Sequence, residues 1–403
     1  MDLNQLKLMI GKEKYKVISF DIFDTLLVRP CLQPTDLLKL VGLRCGYDGN
    51  YLEMRRAAEK KARKECLEEE INYDDIYRQF ADMFSFSLEE VERFKQEEVI
   101  VEKRYLYARQ AMKQIFDFAV GIGKKVILVS DMYLPKQVIL EILDKNGYIG
   151  FQELFLSSEY GKMKSSGHLY DIVLESLEKD GIKPNEILHM GDNERSDVLI
   201  PESKNIKAVF IPRTNWLLRK NRKLSLLYEN VERKLDNSFL IGYSANLTFN
   251  DPFRPYHINT YFYGSRYSAA NMLFGPFFLS FVKWMTEDCV QNKIDTLCMV
   301  YRDGYLPEKI FDYIKKYYNN APRINRLYLT RAMINRFYSL KRNGLVESIN
   351  DMMYSDNMTV SEFIKERLFV TDKNQYQEVL DLFLAHGYQE EARVGRRDDL
   401  TMW

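Results

Sequence analysis

The chain has 403 residues, 46% of them hydrophobic and 29% charged, and its 58 Lys plus Arg are matched by 58 Asp plus Glu. That length holds two or three domains at roughly 100–200 residues each, and zero net charge argues against a dedicated nucleic-acid binder, which carries a basic excess. The five cysteines are scattered without CxxC spacing, so they suggest neither a disulfide framework nor a zinc site and point to a reduced, cytoplasmic setting.

The N-terminal MDLNQLKLMIGKEKYK lacks the continuous apolar core of a signal peptide. VISFDIFDTLL at 17–27 then reads as an apolar strand running into Asp21 and a tight turn that carries Asp24 and Thr25. Pro30 and Pro34 break the chain, Thr35 or Asp36 can cap the next helix, and a helical module extends to about residue 120. Within it, Ser87 to Glu90 fits a capping box, and the dense Glu, Lys and Arg read as a solvated helix face. From residue 124 strands alternate with helices. VILVSDMYLP at 126–135 ends a strand in Ser130 and Asp131, ILHMGDNERSD at 187–197 ends another in Asp192 with Asp197 beyond, and a strand at 207–212 closes the series. Such alternation predicts an α/β domain with a doubly wound parallel sheet, and an open sheet of that kind places its chemistry at the carboxyl ends of its strands.

Beyond Thr214 a basic segment through about Lys234 reads as a linker helix, with contact to an anionic partner or membrane surface as the alternative. The apolar window 271–285, interrupted by Gly275, Pro276 and Lys283, is shorter than a membrane span. It predicts a buried helix, with a membrane-surface contact as the alternative. Further on, RDGYLPEKIFDYI followed by RLYLTRA repeats the order of SDMYLPKQVILEIL followed by ELFLSSE. A second α/β unit follows from that echo. No counterpart of DIFDT or GDNxxxD accompanies it, and the polar tail EEARVGRRDDLTMW offers no closing strand, so the second unit is expected to be incomplete and non-catalytic.

Four ordered segments, DIFDT, VSD, KMKSSGHLY and GDNERSD, resemble the nucleophile, hydroxyl, lysine and acidic motifs of the haloacid dehalogenase (HAD) superfamily over about the first 215 residues. The resemblance implies a HAD-like Rossmannoid core over 1–29 and 122–215, a helical cap over 30–121, a linker helix over 216–240 and a second HAD-like unit over 241–403. CMVYRDGYLPEKIFD at 298–312 is similar to a two-part bacterial group of the superfamily that is associated with glycosyltransferases and surface-polysaccharide synthesis. A glycosyltransferase partner and a role in polysaccharide biosynthesis are implications of that resemblance alone.

The chemistry expected of these residues is covalent. The Asp21 carboxylate can attack a phosphoryl group, and Mg²⁺ and cationic side chains must then offset the repulsion between two anions. The expected metal ligands are Asp21, the backbone carbonyl of Phe23, Asp192 and Asp197, the last either directly or by orienting water or Lys164. Thr25, Ser130 and Asp131 are the expected phosphate-binding residues. Lys164, six residues before Tyr170 as the family's lysine precedes an aromatic, is the catalytic cation, with Lys162 as runner-up. Asp24 reads as a turn cap or a substitute acid, Arg29 as an anion ligand or a surface salt bridge, His189 as a satisfied core histidine, and His168, close in sequence to Lys164, as a candidate substrate contact. Phosphatases of the superfamily carry a second Asp where this chain has Phe23, and phenylalanine cannot protonate a leaving alkoxide. Three readings follow: a Mg²⁺-dependent hydrolase of a small phosphorylated metabolite, a non-turnover ligand-sensing accessory protein, or a metal-independent dehalogenase-type hydrolase.

Overall fold

A computed structural model describes residues 1–47, 50–221, 224–226, 234–254, 265–330, 333–334, 337 and 358–394. The chain divides into two compact units, Met1–Pro276 and Phe277–Trp403.

The first unit is built on five parallel strands, β1 (Val17–Phe20), β2 (Lys125–Ser130), β3 (Glu153–Leu156), β4 (Ile187–Gly191) and β5 (Lys207–Phe210), in the order β3-β2-β1-β4-β5. Their continuous apolar runs are what a parallel sheet covered on both faces requires. Alternate residues feed two cores. Ile18, Phe20, Val126, Leu128, Leu188 and Met190 join one, while Val17, Ile127, Val129 and Phe155 meet Leu169, Val173 and Leu177 of the helix His168–Glu178 in the other. The expected doubly wound α/β architecture is therefore present.

Between β1 and β2 lie the helices α1 (Asp36–Arg44), α2 (Tyr51–Glu65), α3 (Tyr73–Phe84) and α4 (Leu88–Tyr105) of the insert, followed by Gln110–Gly121, which returns to the sheet. Ser87 and Glu90 form the expected capping box at the start of α4. The solvated-face reading of the insert's charges needs correction at three residues. Arg55 is buried and binds Glu98 through both Nε and Nη2 at 3.0 Å, with Tyr77 and Tyr133 hydroxyls also donating to Glu98. Glu102, one turn after Glu98, is buried too. An uncompensated buried charge is costly, so these charges persist inside only because each is paired.

The first unit extends past the expected boundary at 240. Helix α5 (Leu235–Thr248) crosses it and packs on the segment after β1: Ser238 donates to Asp36, Asn246 donates to the Arg29 carbonyl, and a Cβ at Gly242 would fall 2.5 Å from the Cys31 backbone. Thr214–Lys220 of the expected linker is helical, whereas 222–223 and 227–233 lie outside the described residues.

The second unit contains a strand–helix–strand repeat, with β6 (Thr296–Val300) parallel to β7 (Arg323–Leu327) and α6 (Tyr301–Ile314) between them. The echo of the first unit is thus real in topology. Its strand end differs: the helix begins at Tyr301, so Asp303 lies in its first turn, 74% exposed, where the matching Asp131 lies in a loop. The buried helix expected over 271–285 is also corrected. Gly275–Gln291 is helical, but Val282, Thr286 and Cys289, a stripe one turn apart, are its buried residues, while Phe277, Phe281 and Trp284 are exposed. The tail supplies a short strand after all, Arg393–Val394, antiparallel to Met358–Thr359 in a ribbon separate from β6 and β7. Residues 395–403 lie outside the described residues.

Candidate active site

Three neighbouring strands, β2, β1 and β4, end side by side and deliver Ser130 with Asp131, Asp21, and Asp192. The Asp21 N–H donates to the Met190 carbonyl at 2.8 Å, which extends the β1–β4 ladder up to the nucleophile candidate. After it the chain turns sharply. Leu26 and Leu27 N–H both donate to the Ile22 carbonyl and the Asp24 N–H donates to Leu27, which leaves the Phe23 carbonyl out of the turn's bonds. Asp24 has φ of 58°, in the left-handed region that Asp and Asn tolerate better than most side chains. Its carbonyl accepts from Arg109 at 3.0 Å. Arg109 is wholly buried and also donates to the Phe249 and Asn250 carbonyls, and burial lowers its guanidinium to about 10. The Asp24 side chain faces Arg213 at 3.8 Å; its structural role in the turn is therefore carried by its backbone.

Lys164 is the central cation. Its Nζ lies 2.6 Å from Asp21 Oδ1 and 2.7 Å from Asp197 Oδ1, and all three side chains are buried. Burial opposes its charge, but the two carboxylates outweigh this and hold the ammonium well above the usual lysine range. Burial likewise acts to raise the Asp197 carboxyl, yet Lys164 and His189 bring it below the usual range. Asp197 Oδ2 accepts from the Asn193 N–H at 2.9 Å, and Asn193 Oδ1 accepts from the Arg195 and Ser196 N–H groups in turn, so a wide helical turn over Glu194–Leu199 is pinned under the cluster. Gly191 permits that approach, since a Cβ there would fall 2.4 Å from the Asp197 carboxyl carbon. Lys162 is only partly buried, and among the described residues Lys164 is the lysine that reaches Asp21.

His189 is the satisfied core histidine expected: it shares hydrogen bonds with Ser19 at 2.7 Å and Tyr170 at 3.0 Å, and lies 3.4 Å from Asp197. His168 pairs instead with Glu69 of the insert. Glu69 also accepts from the Met163 N–H at 3.1 Å and the Ser166 hydroxyl at 2.6 Å, and its own N–H donates to Gly161. Those bonds, the Ser166 hydroxyl first, bring its carboxyl down to about 2. Arg29 is not a surface residue: it is buried, bound through Nε and Nη2 to Glu102 at 3.2 Å, and stacked on the Phe23 ring.

The expected phosphate ligands have spare capacity. Asp21 Oδ2, Thr25 Oγ1 and Ser130 Oγ are all buried and without a hydrogen-bond partner. Buried polar atoms are nearly always paired, so these three, at and just beyond the ends of β1 and β2, have hydrogen-bonding capacity left over. Asp131 Oδ1 accepts from the Lys164 N–H at 2.9 Å, and burial raises its carboxyl above the usual range. Asp131 thus positions the lysine's backbone.

Asp21, Asp192 and Asp197 each offer a carboxylate oxygen within 4.8 Å of the others, a set that fits a hard divalent cation. Burial first, then repulsion from Asp21 and Asp24, raises the Asp192 carboxyl, only partly offset by Arg213. Asp197 already gives both oxygens to Lys164 and Asn193, so Asp21 and Asp192 are the better placed ligands, with Asp197 orienting the lysine behind them. The residue that sequence reasoning missed is Arg213, just past β5, whose Nε pairs with Asp192 Oδ2. The rule that selected Asp21, Ser130 and Asp192, a polar residue just beyond a strand end, also selects Arg213 in IKAVFIPR.

No protein-family model matches the chain, and no curated protein is similar to it. Solved structures are similar to about half of it. A predicted phosphoglycolate phosphatase from Haemophilus somnus is 16% identical over 50% of this chain and 88% of its own, with a TM-score of 0.36. A HAD phosphatase from Thermococcus onnurineus is 20% identical over 51% and 96%, with a TM-score of 0.35. A putative HAD-hydrolase from Bacillus subtilis, bound to magnesium, is 12% identical over 49% and 88%, with a TM-score of 0.37.

Proposed function

We propose that the chain is a Mg²⁺-dependent hydrolase of the HAD type that uses Asp21 as nucleophile on a small phosphorylated metabolite. The observation that carries this reading is Asp21 held by the Lys164 ammonium through Oδ1 while its Oδ2, like the hydroxyls of Thr25 and Ser130, is buried without a hydrogen-bond partner. Lys164 fixes Asp21 through Oδ1 and leaves Oδ2 free to attack. The Thr25 and Ser130 hydroxyls are donors for phosphoryl oxygens, and such charge-assisted bonds are stronger than neutral ones. A divalent cation held by Asp21, Asp192 and the Phe23 carbonyl would offset the repulsion between nucleophile and substrate.

Phe23 restricts the leaving group. An alkoxide needs a proton as it departs, whereas an acyl phosphate or phosphoanhydride releases an anion stable without one. The hydrolase reading therefore favours substrates with such good leaving groups. The same residue favours the second reading, a ligand-sensing accessory protein that binds phosphate without turnover. A surface-polysaccharide setting and a glycosyltransferase partner belong to this proposal through the motif at 298–312 alone. Among the described residues no helix is long and apolar enough to cross a membrane.

The test is a panel of phosphorylated metabolites and acyl phosphates with and without Mg²⁺, run against Asp21→Asn. Metal-dependent phosphate release by the parent protein alone supports the hydrolase. Release equal in both proteins sinks it, and phosphate binding without release selects the accessory reading.

A further inference from the structure

The cation nearest Asp192 is supplied by the protein itself. Arg213 precedes the helix Thr214–Lys220 and follows β5, whose continuation is fixed by the Ile211 N–H donating to the Gly191 carbonyl at 2.8 Å. The backbone of Arg213 is thereby held next to the strand end that carries Asp192. Its Nε reaches Asp192 Oδ2, an oxygen of the carboxylate cluster, and its Nη1 lies 3.8 Å from Asp24 Oδ2. Asp21 contributes to the field on it as well.

The two cations of the site are held very differently. Lys164 has a side chain 4% exposed and gripped by two carboxylates. The Arg213 side chain is 40% exposed while its partner Asp192 is 5% exposed. A guanidinium with one side in water can rotate outward into solvent, and such half-exposed ion pairs hold weakly. Asp192 cannot follow it, because it is fixed on the strand end.

The charge balance gives the reason for such a pair. Asp21, Asp24, Asp192 and Asp197 supply four negative charges; Lys164 and Arg213 pair with them directly, and the buried Arg109 adds a positive field on Asp24 and Asp192. Without a metal, Arg213 partly compensates a buried cluster that would otherwise repel itself. A dication beside Asp192 removes that need and repels the guanidinium.

We infer that Arg213 and a divalent cation compete for Asp192, so that loading the site with metal turns the guanidinium out to solvent. This inference rests on the metal-dependent reading of the site. Arg213 is then a positioning residue that sets metal affinity, without itself touching the reacting atoms.

Mn²⁺ binding by the full chain, read from the loss of the free-ion electron paramagnetic resonance signal, tests it without any turnover. Arg213→Gln is expected to bind Mn²⁺ roughly 2- to 5-fold more tightly than the parent protein, the resistance a half-exposed ion pair can offer. Arg213→Lys should fall between them, and Asp192→Asn should lose binding. Equal or weaker binding by Arg213→Gln overturns the competition while leaving the metal site intact. Absence of binding in the parent protein and in Arg213→Gln overturns the metal reading and the competition together. Thermal unfolding with and without Mn²⁺ guards against a misfolded variant: Arg213→Gln should gain the larger upward shift in Tm.

Discussion

Arg29 sits over Phe23, its guanidinium carbon 4.8 Å from the ring centroid, while Glu102 of the helical insert binds the same guanidinium through Nε and Nη2. The position that lacks an acid is thus also clamped between the core and the insert. If that lack is what limits turnover of alkyl phosphates, Phe23→Asp should raise it, by up to about 10²–10⁴-fold, the usual worth of general-acid help. Steady-state rates on an alkyl and an acyl phosphate decide: an unchanged alkyl rate would show that the acid is not the limiting defect.

Thr25→Ala and Ser130→Ala remove hydroxyls that bind nothing in the free protein. Neither should lower the unfolding free energy by more than about 0.5 kcal/mol, since no hydrogen bond is lost. Each should weaken binding of inorganic phosphate by about tenfold, the worth of one bond to a charged group. Calorimetry on both variants checks the pair of expectations, and a large stability loss without a change in phosphate affinity would assign the hydroxyls to the fold.

Lys164→Met should behave in the opposite way. It leaves Asp21 and Asp197 facing each other in a buried site, a defect that typically costs about 3–5 kcal/mol. Denaturant unfolding should show it, and added Mg²⁺ should recover part of the loss if the cation binds beside Asp21. A variant as stable as the parent would mean that the carboxylates shed their charge at little cost.

The Glu69 carboxyl is depressed to about 2 from an ordinary value of 4.5. A depressed folded-state value contributes stability that is present above the unfolded value and is lost as pH falls through the folded one. The contribution of Glu69 should therefore fade between about pH 4.5 and pH 2. Glu69→Gln should flatten that part of the stability profile, as measured by unfolding at stepped pH; an identical acid limb would show that Glu69 does not tie the insert down in solution.

The sheet and its strand-end carboxylates were legible because continuous apolar runs ending in Asp can hardly be anything else, and Lys164 was legible through the resemblance of KMKSSGHLY to the family's lysine motif. What escaped depends on which distant segments meet. The burial of Arg55, Glu98 and Glu102 comes from the insert folding onto Tyr133 and Arg29, and helical charge patterns look the same whether buried or solvated. The boundary at 240 failed for a similar reason, since Ser238, Gly242 and Asn246 are small or polar residues whose partners lie some 200 positions earlier. Asp303 repeats Asp131 in sequence, but its helix begins at Tyr301, seven residues earlier in the matching string than the helix at Lys136, so a matching string gives matching topology without a matching strand end.

The bonds from Glu69 to the segment Gly161–His168 have an effect beyond stability. Lys164 rides on that same segment, so the ammonium that holds Asp21 is moored to the insert as well as to the sheet. Any tilt of the insert that admits or releases a ligand must either break these bonds or drag the lysine's loop with it. In the proposed hydrolase, a movement of the insert that kept these bonds would carry Lys164 with it.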